Sequence, residues 1–481
     1  MFKIVQQSPQ RARLILGSGL NGGFTIGSRK YVQMRKSIIL IFLLLISRIA
    51  ISQTQLDEYL EIGLKQNLVL KQKNISLEKS MIALQQARSY FLPSLNLIGN
   101  YITADGGRTI SFPAGDLLNP VYSTLNQLTN SQNFQLVKNA DVQFLPANFY
   151  DARVHITYPL LDANIYYNRS IRKQEIGLRE YEVEIYKQEL IKDIRQAYYS
   201  YCSSIDVISV YNTAQELVNQ NLRVNQSLYR NGKSLKANVI KAESEAENIY
   251  FKIIEAKNSS LSAKYYLNFL LNRPLTDSVV YEELSLPETL LSSISTPPVT
   301  KSRSELFQID AGLRIDSTLL RMNRNYFVPK LSTSLDLGSQ ASNFKFTPQS
   351  RYYLFALQLD FPIFNGRRYQ YKIAETKLDI ENRRMQKDLA QDQLQLSASI
   401  AQNNLKTALA LHQSSKKQFV SAQSYFHLID KGYKEGINSL IEFIDARNQL
   451  TTAELQVSIN KNKILNAFAD YQRETAISTI Q

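Results

Sequence analysis

Two carboxylates near the end of the sequence are the side chains best placed for chemistry. Glu442 and Asp445 follow Gly436 in the stretch GYKEGINSLIEFIDARNQL, where a helix restarts after a break. Because they are three residues apart, both lie on one face of that helix. Carboxylates gathered in a narrow passage select cations, whereas two solvated acids at a helix start merely favour the helix dipole. The spacing by itself leaves both interpretations open.

The sequence offers little material for catalysis or for a metal site. It has one cysteine, Cys202, and three scattered histidines, which excludes an intrachain disulfide and a cysteine-based zinc site. No P-loop, Gly-x-Ser-x-Gly elbow or Cys–His arrangement is present. We therefore expect no enzymatic activity, no metal and no cofactor.

The charge and the N-terminal segment together indicate an exported protein. Residues 1–52 hold eight Lys/Arg and no acid, so the rest of the chain has only a mild positive excess, which argues against a nucleic-acid partner. Residues 34–52 follow the plan of a signal peptide, with a basic start, an apolar run and small residues before Gln53. We expect cleavage there, and we interpret residues 1–33 as an upstream extension outside the mature protein.

The sequence also repeats itself. SYFLPSL (Ser89 to Leu95) returns as NYFVPKL, TYPLLDANIYYNR as DFPIFNGRRYQYK, and LYRNGKSLKANVIKA as GYKEGINSLIEFIDA. We predict repeat 1 over residues 53–285, a Ser/Pro-rich linker over 286–304 and repeat 2 over 305–481. The first repeat is longer because of residues 104–150, whose Gly, Pro and Asn content predicts a long loop.

Each repeat has the order helix, strand, loop, strand, very long helix, turn, helix, so the fold is predicted as mainly α with a small β part. The predicted elements are helix 55–91, strands 95–103 and 152–160, long helix 163–230 and returning helix 236–272, then strands 331–339 and 352–363, long helix 366–431 and returning helix 440–476. In the second long helix, apolar residues recur every eleven positions, which favours nearly straight packing: Leu378, Leu389, Ile400 and Leu411.

Prolines mark the predicted junctions between strands and helices, at Pro93, Pro159, Pro329 and Pro362. Asp162 and Asn365 are suitable N-cap residues for the long helices that follow. The strands are long enough to cross a bilayer, but four strands leave two open edges that hydrocarbon cannot satisfy. Either the sheet belongs to a soluble periplasmic coiled-coil or pore-forming protein, or several chains pool their strands into one barrel.

The motif Tyr-x-x-Gly followed by a restarting helix resembles the TolC-type outer-membrane efflux protein family. The match is YKEGINSLIEFIDA (Tyr433 to Ala446) and, more loosely, YRNGKSLKANVIKA (Tyr229 to Ala242). The resemblance implies a homotrimer in the outer membrane of a Gram-negative-type bacterium. Each chain would give four strands to a twelve-stranded β-barrel, in contact with outer-membrane lipid, that continues into a long periplasmic α-helical barrel. Such a channel is the exit duct of a tripartite efflux or type I secretion system, with a periplasmic adaptor protein and an inner-membrane transporter as partners.

The resemblance also assigns site residues. The two glycine turns form the periplasmic tip, where the adaptor docks: Tyr229, Gly232, Asn238, Gly436 and Asn438. Tyr433, Glu442 and Asp445 occupy the positions of the pore gate, where three chains would bring together two stacked carboxylate rings. In the protein for which the family is named, an arginine–aspartate pair ties this tip shut, and this chain has Asn438 and Asn238 at those places. We therefore expect a closed state that is held more weakly or by other contacts.

Overall fold

The computed structural model describes residues 55–145, 147–287, 290, 298 and 300–476. The predicted upstream extension, the signal peptide and most of the Ser/Pro-rich linker lie outside the described residues and stay predictions. Along the described residues, no helix combines the length and the apolar character that crossing a membrane requires.

The described chain is mainly helical, as expected, and its elements follow the predicted order. They are α1 (Gln55–Gln66), α2 (Leu68–Ser89), β1 (Ser94–Ile102), β2 (Thr109–Phe112), α3 (Ala114–Thr129), β3 (Ala140–Gln143), β4 (Phe149–Leu161), α4 (Ala163–Arg230), α5 (Lys236–Leu270), α6 (Ser304–Arg324), β5 (Lys330–Ser342), β6 (Arg351–Asp360), α7 (Arg368–Lys434) and α8 (Leu440–Thr475). At 1.5 Å per residue, α4 and α7 are each about 100 Å long.

Several predicted boundaries are wrong for local reasons. The first helix is broken at Asn67, whose Oδ1 accepts from Leu70 N while its Nδ2 donates to Leu270 O. Asp162 caps α4 as predicted, with Oδ1 accepting from Asn164 N at 2.8 Å. Asn365 does not cap α7, because the chain continues through Arg367, in the left-handed conformation, before the helix begins.

Residues 104–150 were predicted as a long loop, and this is wrong. The segment forms the two-stranded β2–β3 sheet and the 16-residue helix α3. The sequence analysis missed the helix because it contains a proline and the segment is rich in asparagine, and both are usual signs of a loop.

β1, β4, β5 and β6 form one open antiparallel sheet in that order. Pro93 and Pro329 precede β1 and β5, and Pro362 follows β6, so three of the predicted junction prolines lie where strands and helices meet. Pro159 instead lies within β4, at a register irregularity against β5. Proline cannot donate a ladder hydrogen bond, which accounts for the irregular pairing there.

The helices follow the same lateral order as the strands. α2 and α5 pack against α4, α4 packs against α6 and α8, and these pack against α7. Two short helices stack end to end beside each long one: Asn67 joins the start of α2 to the end of α5, and Arg303, just before α6, donates to Arg473 O near the end of α8. The outermost elements are therefore β1, α2 and α5 on one side and β6 and α7 on the other.

Candidate functional site at the hairpin turns

Both predicted tip glycines close their helices with the same hydrogen-bond pattern. At the end of α4, Lys233 N donates to Leu228 O at 2.8 Å and Gly232 N to Tyr229 O at 3.0 Å. At the end of α7, Ile437 N donates to Gly432 O and Gly436 N to Tyr433 O. This is the Schellman motif, which requires a left-handed residue. Gly232 has φ +70° and Gly436 φ +78°, with open space where a Cβ would lie, so backbone conformation is the reason for glycine.

Glu442 has a structural role within its own turn. Its carboxylate accepts from Ser439 N at 2.6 Å and from Ser439 Oγ at 2.9 Å, while Glu442 N donates to Ser439 Oγ. This capping box starts α8. The backbone N–H and then the hydroxyl of Ser439 hold the pKa of Glu442 below its usual range, so it is ionised at neutral pH.

Asp445 lies one turn further along the same exposed face of α8. Its Oδ2 accepts from Gln449 Nε2 at 2.6 Å. Among the described residues, no lysine, arginine or histidine forms an ion pair with Glu442 or Asp445. The opposite face of the helix is buried through Leu440, Phe443 and Ile444. Two uncompensated negative charges therefore point away from the packed side of the hairpin.

Tyr433 connects the second turn to the first hairpin. Its ring stacks on Phe443, with centroids 4.9 Å apart, and its hydroxyl lies 3.0 Å from the Nδ2 of Asn225 on α4. Asn225 is itself 1% exposed. The predicted gate tyrosine is thus a link between the two hairpins of one chain.

The two asparagines at the family's lock positions do not join each other in this chain. Asn238 Nδ2 donates to Ser234 Oγ at 3.0 Å, inside the first turn. Asn438 folds over its own turn, so close to Gly432 that a Cβ there would lie 1.8 Å from the Asn438 Oδ1. Among the described residues, neither side chain makes a hydrogen bond to the other hairpin.

A buried ion pair that the sequence analysis missed joins the hairpins instead. Arg447 on α8 is 2% exposed and donates through Nη2 to Glu245 Oε2 on α5 at 2.9 Å. Lys241 approaches the other carboxylate oxygen at 3.0 Å. The Nε of Arg447 is buried without a hydrogen-bond partner. One signal was available in the sequence, because Arg447 follows Phe443 by four residues and so places a charge on the buried stripe of α8.

The pKa values favour an ionised pair. Burial opposes ionisation of Glu245, but the hydrogen bond from Lys241 and the charges of Arg447 and Lys241 outweigh it, so the pKa of Glu245 lies below its ordinary value. Burial also lowers the pKa of Arg447, and the nearby carboxylate of Glu245 opposes this effect. The ordinary pKa of arginine is so high that the guanidinium stays protonated.

A groove separates the two hairpins beside these contacts. It encloses about 660 Å³ between α4 and the second turn and is lined by Val224 and Leu228 on one side and Leu440 and Ile441 on the other. Ile441, which lines the groove, is exposed. The site therefore combines an apolar groove, two inter-hairpin links and a carboxylate face.

Comparison with known proteins gives a consistent result. Residues 302–471 match the family described as Outer membrane efflux protein. The outer membrane protein TolC of Escherichia coli (strain K12) is 18% identical over 340 residues, covering 66% of this chain and 67% of that protein. TolC of Salmonella enteritidis is 18% identical over 329 residues, with the same coverage.

Solved structures share the fold. The Campylobacter jejuni CmeC outer membrane channel superposes with a TM-score of 0.68 at 16% identity, covering 88% of this chain and 85% of that one. The outer membrane protein VceC of Vibrio cholerae gives 0.67 at 13% identity, covering 88% and 96%. The open state of the Neisseria gonorrhoeae MtrE channel gives 0.66 at 15% identity, covering 88% of each chain.

Proposed function

This chain is a relative of the TolC-type outer-membrane efflux proteins, and we propose that it is an outer-membrane channel. It acts as the exit duct of a tripartite efflux or type I secretion system. Most of its mass lies in the periplasm, and its sheet contributes four strands to a twelve-stranded barrel shared by three copies.

The observation that carries this proposal is the division of the sheet into two unlike faces. Residues directly opposite each other in neighbouring strands share a face. One face is apolar across all four strands, through the paired rows Leu95–Ile156–Leu335–Phe355 and Leu97–Val154–Leu337–Tyr353. The row between them on the other face is mostly polar, Asn96–His155–Asp336–Leu354. Lipid outside and water inside a channel require this division.

The exposure of the apolar face favours the channel over a soluble coiled-coil protein. Phe355 is 64% exposed and Leu97 is 82% exposed, with no described element packed over them. The outer edges of β1 and β6 pair with no other described strand. Backbone groups at an open edge have no partner in hydrocarbon, so β6 of one copy pairs with β1 of the next until the ring closes.

The helices support the same assembly, because both outermost columns carry exposed apolar stripes. On α7 the four residues of the predicted eleven-residue series are exposed, and Met385 and Leu396 extend the same stripe. The stripe therefore consists of Leu378, Met385, Leu389, Leu396, Ile400 and Leu411. On the opposite side, α2 and α5 expose another set: Leu68, Ile75, Ile82, Phe251, Leu261 and Phe269. Two different surfaces that meet head to tail give a closed ring of copies.

The hairpin turns then form the periplasmic end of the tube. The groove between the hairpins is the docking place for the periplasmic adaptor, which couples the duct to an inner-membrane transporter. Three copies bring the faces of Glu442 and Asp445 together as two rings that select cations. In the absence of the family's arginine–aspartate lock, the Tyr433–Asn225 and Arg447–Glu245 links hold the hairpins closed.

Planar-bilayer recording of the purified mature chain tests the proposal. We expect a small cation-selective conductance that a multivalent cation on the periplasmic side blocks. A folded monomer that gives no conductance would contradict the channel and would favour the soluble coiled-coil alternative.

The assembly has its own test. Leu389→Asp on the exposed stripe of α7 should disrupt the trimer, whereas Gln391→Asp, an exposed position on the other side of the helix, should leave it intact. Sedimentation of both variants in detergent separates the outcomes, and equal behaviour of the two would contradict the role of the stripe.

A further inference from the structure

The segment between β1 and β4 contains a folded unit, residues 109–143, that no role in the proposed channel uses. β1 runs away from the helices and β4 runs back toward them, so this β2–α3–β3 unit lies at the end of the sheet remote from the helices. The connection between β5 and β6 at the same end is short, residues 343–350.

Asparagine side chains give the unit a defined structure. Asn139 Oδ1 accepts from Gly115 N at 2.9 Å and from Asp116 N at the start of α3. Asn119 exchanges two hydrogen bonds with the backbone of Val137, and Asn126 exchanges two with that of Phe134. These hydrogen bonds tie α3 along its length to the irregular segment, residues 134–139, that returns beside it before β3 begins.

Among the described residues, the side chains of the unit make no hydrogen bond to the rest of the chain. Its side-chain hydrogen bonds and its ring contact, between Tyr122 and Phe134, are all internal among the described residues. Leu117, Val121 and Leu128 form one exposed stripe of α3, with Leu128 at 78% exposure. A two-stranded sheet such as β2–β3 is only marginally stable in water without further packing. The exposed apolar surface therefore needs a partner.

The chemistry of the unit disfavours a lipid surface as that partner. Residues 109–143 include three charged side chains, Asp116, Lys138 and Asp141, and α3 itself has no basic residue. Helices that lie on membranes are rich in lysine and arginine, which anionic headgroups attract.

The dimensions favour the neighbouring copies, an argument that rests on the proposed trimer. Twelve tilted strands at about 4.8 Å spacing enclose a barrel on the order of 25 Å across. The 16 residues of α3 extend about 24 Å, so a unit at the rim reaches the axis of the barrel. The unit also follows β1, the edge strand at which the next copy joins.

We propose that the three β2–α3–β3 units meet over the outer mouth of the barrel and form a cap. Each buries its Leu117–Val121–Leu128 stripe against the neighbouring copies. The cap narrows the exit at the end of the duct opposite the carboxylate rings.

Cysteine cross-linking in the full-length trimer tests the cap. Val121→Cys places a thiol on the stripe, and Ser123→Cys places one on the opposite exposed face of the same helix, which makes it a matched control. The native Cys202 is buried, so we expect no maleimide to react with it. We expect a short bismaleimide to join copies through position 121 and not through position 123, and a water-soluble maleimide to label position 121 several-fold more slowly.

Conductance gives a second reading. The triple variant Leu117→Asp/Val121→Asp/Leu128→Asp should remain trimeric and should have a higher conductance than the wild type. The control Ser123→Asp should remain trimeric with the conductance of the wild type. Equal labelling of positions 121 and 123 without cross-links would overturn the proposal. Protection of position 121 only when lipopolysaccharide or another cell-surface protein is added would overturn it in favour of that occupant. A wild-type chain that forms neither trimers nor channels would instead refute the proposed function.

Discussion

Removing the charge of Glu245 should loosen the contact between the two hairpins of each chain. In Glu245→Gln the guanidinium of Arg447, 2% exposed and already with an unpartnered Nε, loses the carboxylate that it faces at 2.9 Å. Removal of one partner from a buried ion pair costs about 3–5 kcal/mol, because the other charge is left uncompensated. When the hairpins separate, Arg447 regains water, so this penalty acts on the closed state.

The lower end of that range applies, because a glutamine still offers an acceptor. A cost of about 3 kcal/mol shifts the equilibrium between packed and separated hairpins by roughly two orders of magnitude. The assay is the open probability of single channels in planar bilayers, recorded for trimers of confirmed assembly. We expect a channel that is mostly closed in the wild type to open frequently in Glu245→Gln.

Two controls separate the buried pair from surface charge. Lys241 contacts the same carboxylate, but its side chain is 51% exposed, and exposed pairs are worth at most about 1 kcal/mol, so Lys241→Gln should have a small effect. Glu245→Leu/Arg447→Met replaces both charges by apolar side chains and should behave nearly as the wild type. The reasoning is refuted if Glu245→Gln matches Lys241→Gln, or if the double variant opens as readily as the single one.

Three further predictions concern the same tip. Tyr433→Phe keeps the ring on Phe443 but loses the hydroxyl contact with Asn225, about 1 kcal/mol, so its open probability should rise several-fold in the same recordings, and no change would exclude that link. Glu442→Gln/Asp445→Asn keeps an acceptor for the capping box but removes both charges, so the block by a multivalent cation should disappear; an unchanged block would place the selectivity elsewhere. Acidification should also raise the open probability. The pKa of Glu245 in the folded chain lies below its ordinary value, so the ion pair stabilises the closed tip fully at neutral pH, and this stabilisation is lost as the pH falls below about 4.3 through the folded pKa. The effect of acid should be absent in Glu245→Leu/Arg447→Met.

Signals within a few residues of each other predicted much of the architecture. The bounds of α4 are those expected, Ala163 to Arg230, because Asp162 caps the start and the Gly232 turn stops the end. The same reasoning failed at Asn365, since the chain takes two more residues to turn into α7. Helix α3 was missed because its proline and the asparagines of the segment are typical of loops. Two asparagines within the helix, Asn119 and Asn126, and one after it, Asn139, nevertheless make the hydrogen bonds that hold the helix.

The candidate site divides in a similar way. The positions of Gly232, Gly436, Glu442 and Asp445 at the turns follow from local spacing and were predicted. The capping role of Glu442 was not singled out, although Ser439 three residues earlier is its sequence signal. The Arg447–Glu245 pair joins residues that are far apart in the chain. A local sequence pattern cannot predict which residue pairs with a buried charge.

The sequence by itself determined the element types, the two glycine turns and the carboxylate face, because capping, chain reversal and helical spacing depend on neighbours along the chain. Only the tertiary structure decided which surfaces remain without a partner. The eleven-residue series of α7 reads in the sequence as a packing seam, yet in the folded chain it is exposed, because α6 and α8 cover a different side of that helix. The same holds for the sheet: alternation along each strand predicts two faces, but the register between strands aligns the apolar rows into one exposed surface.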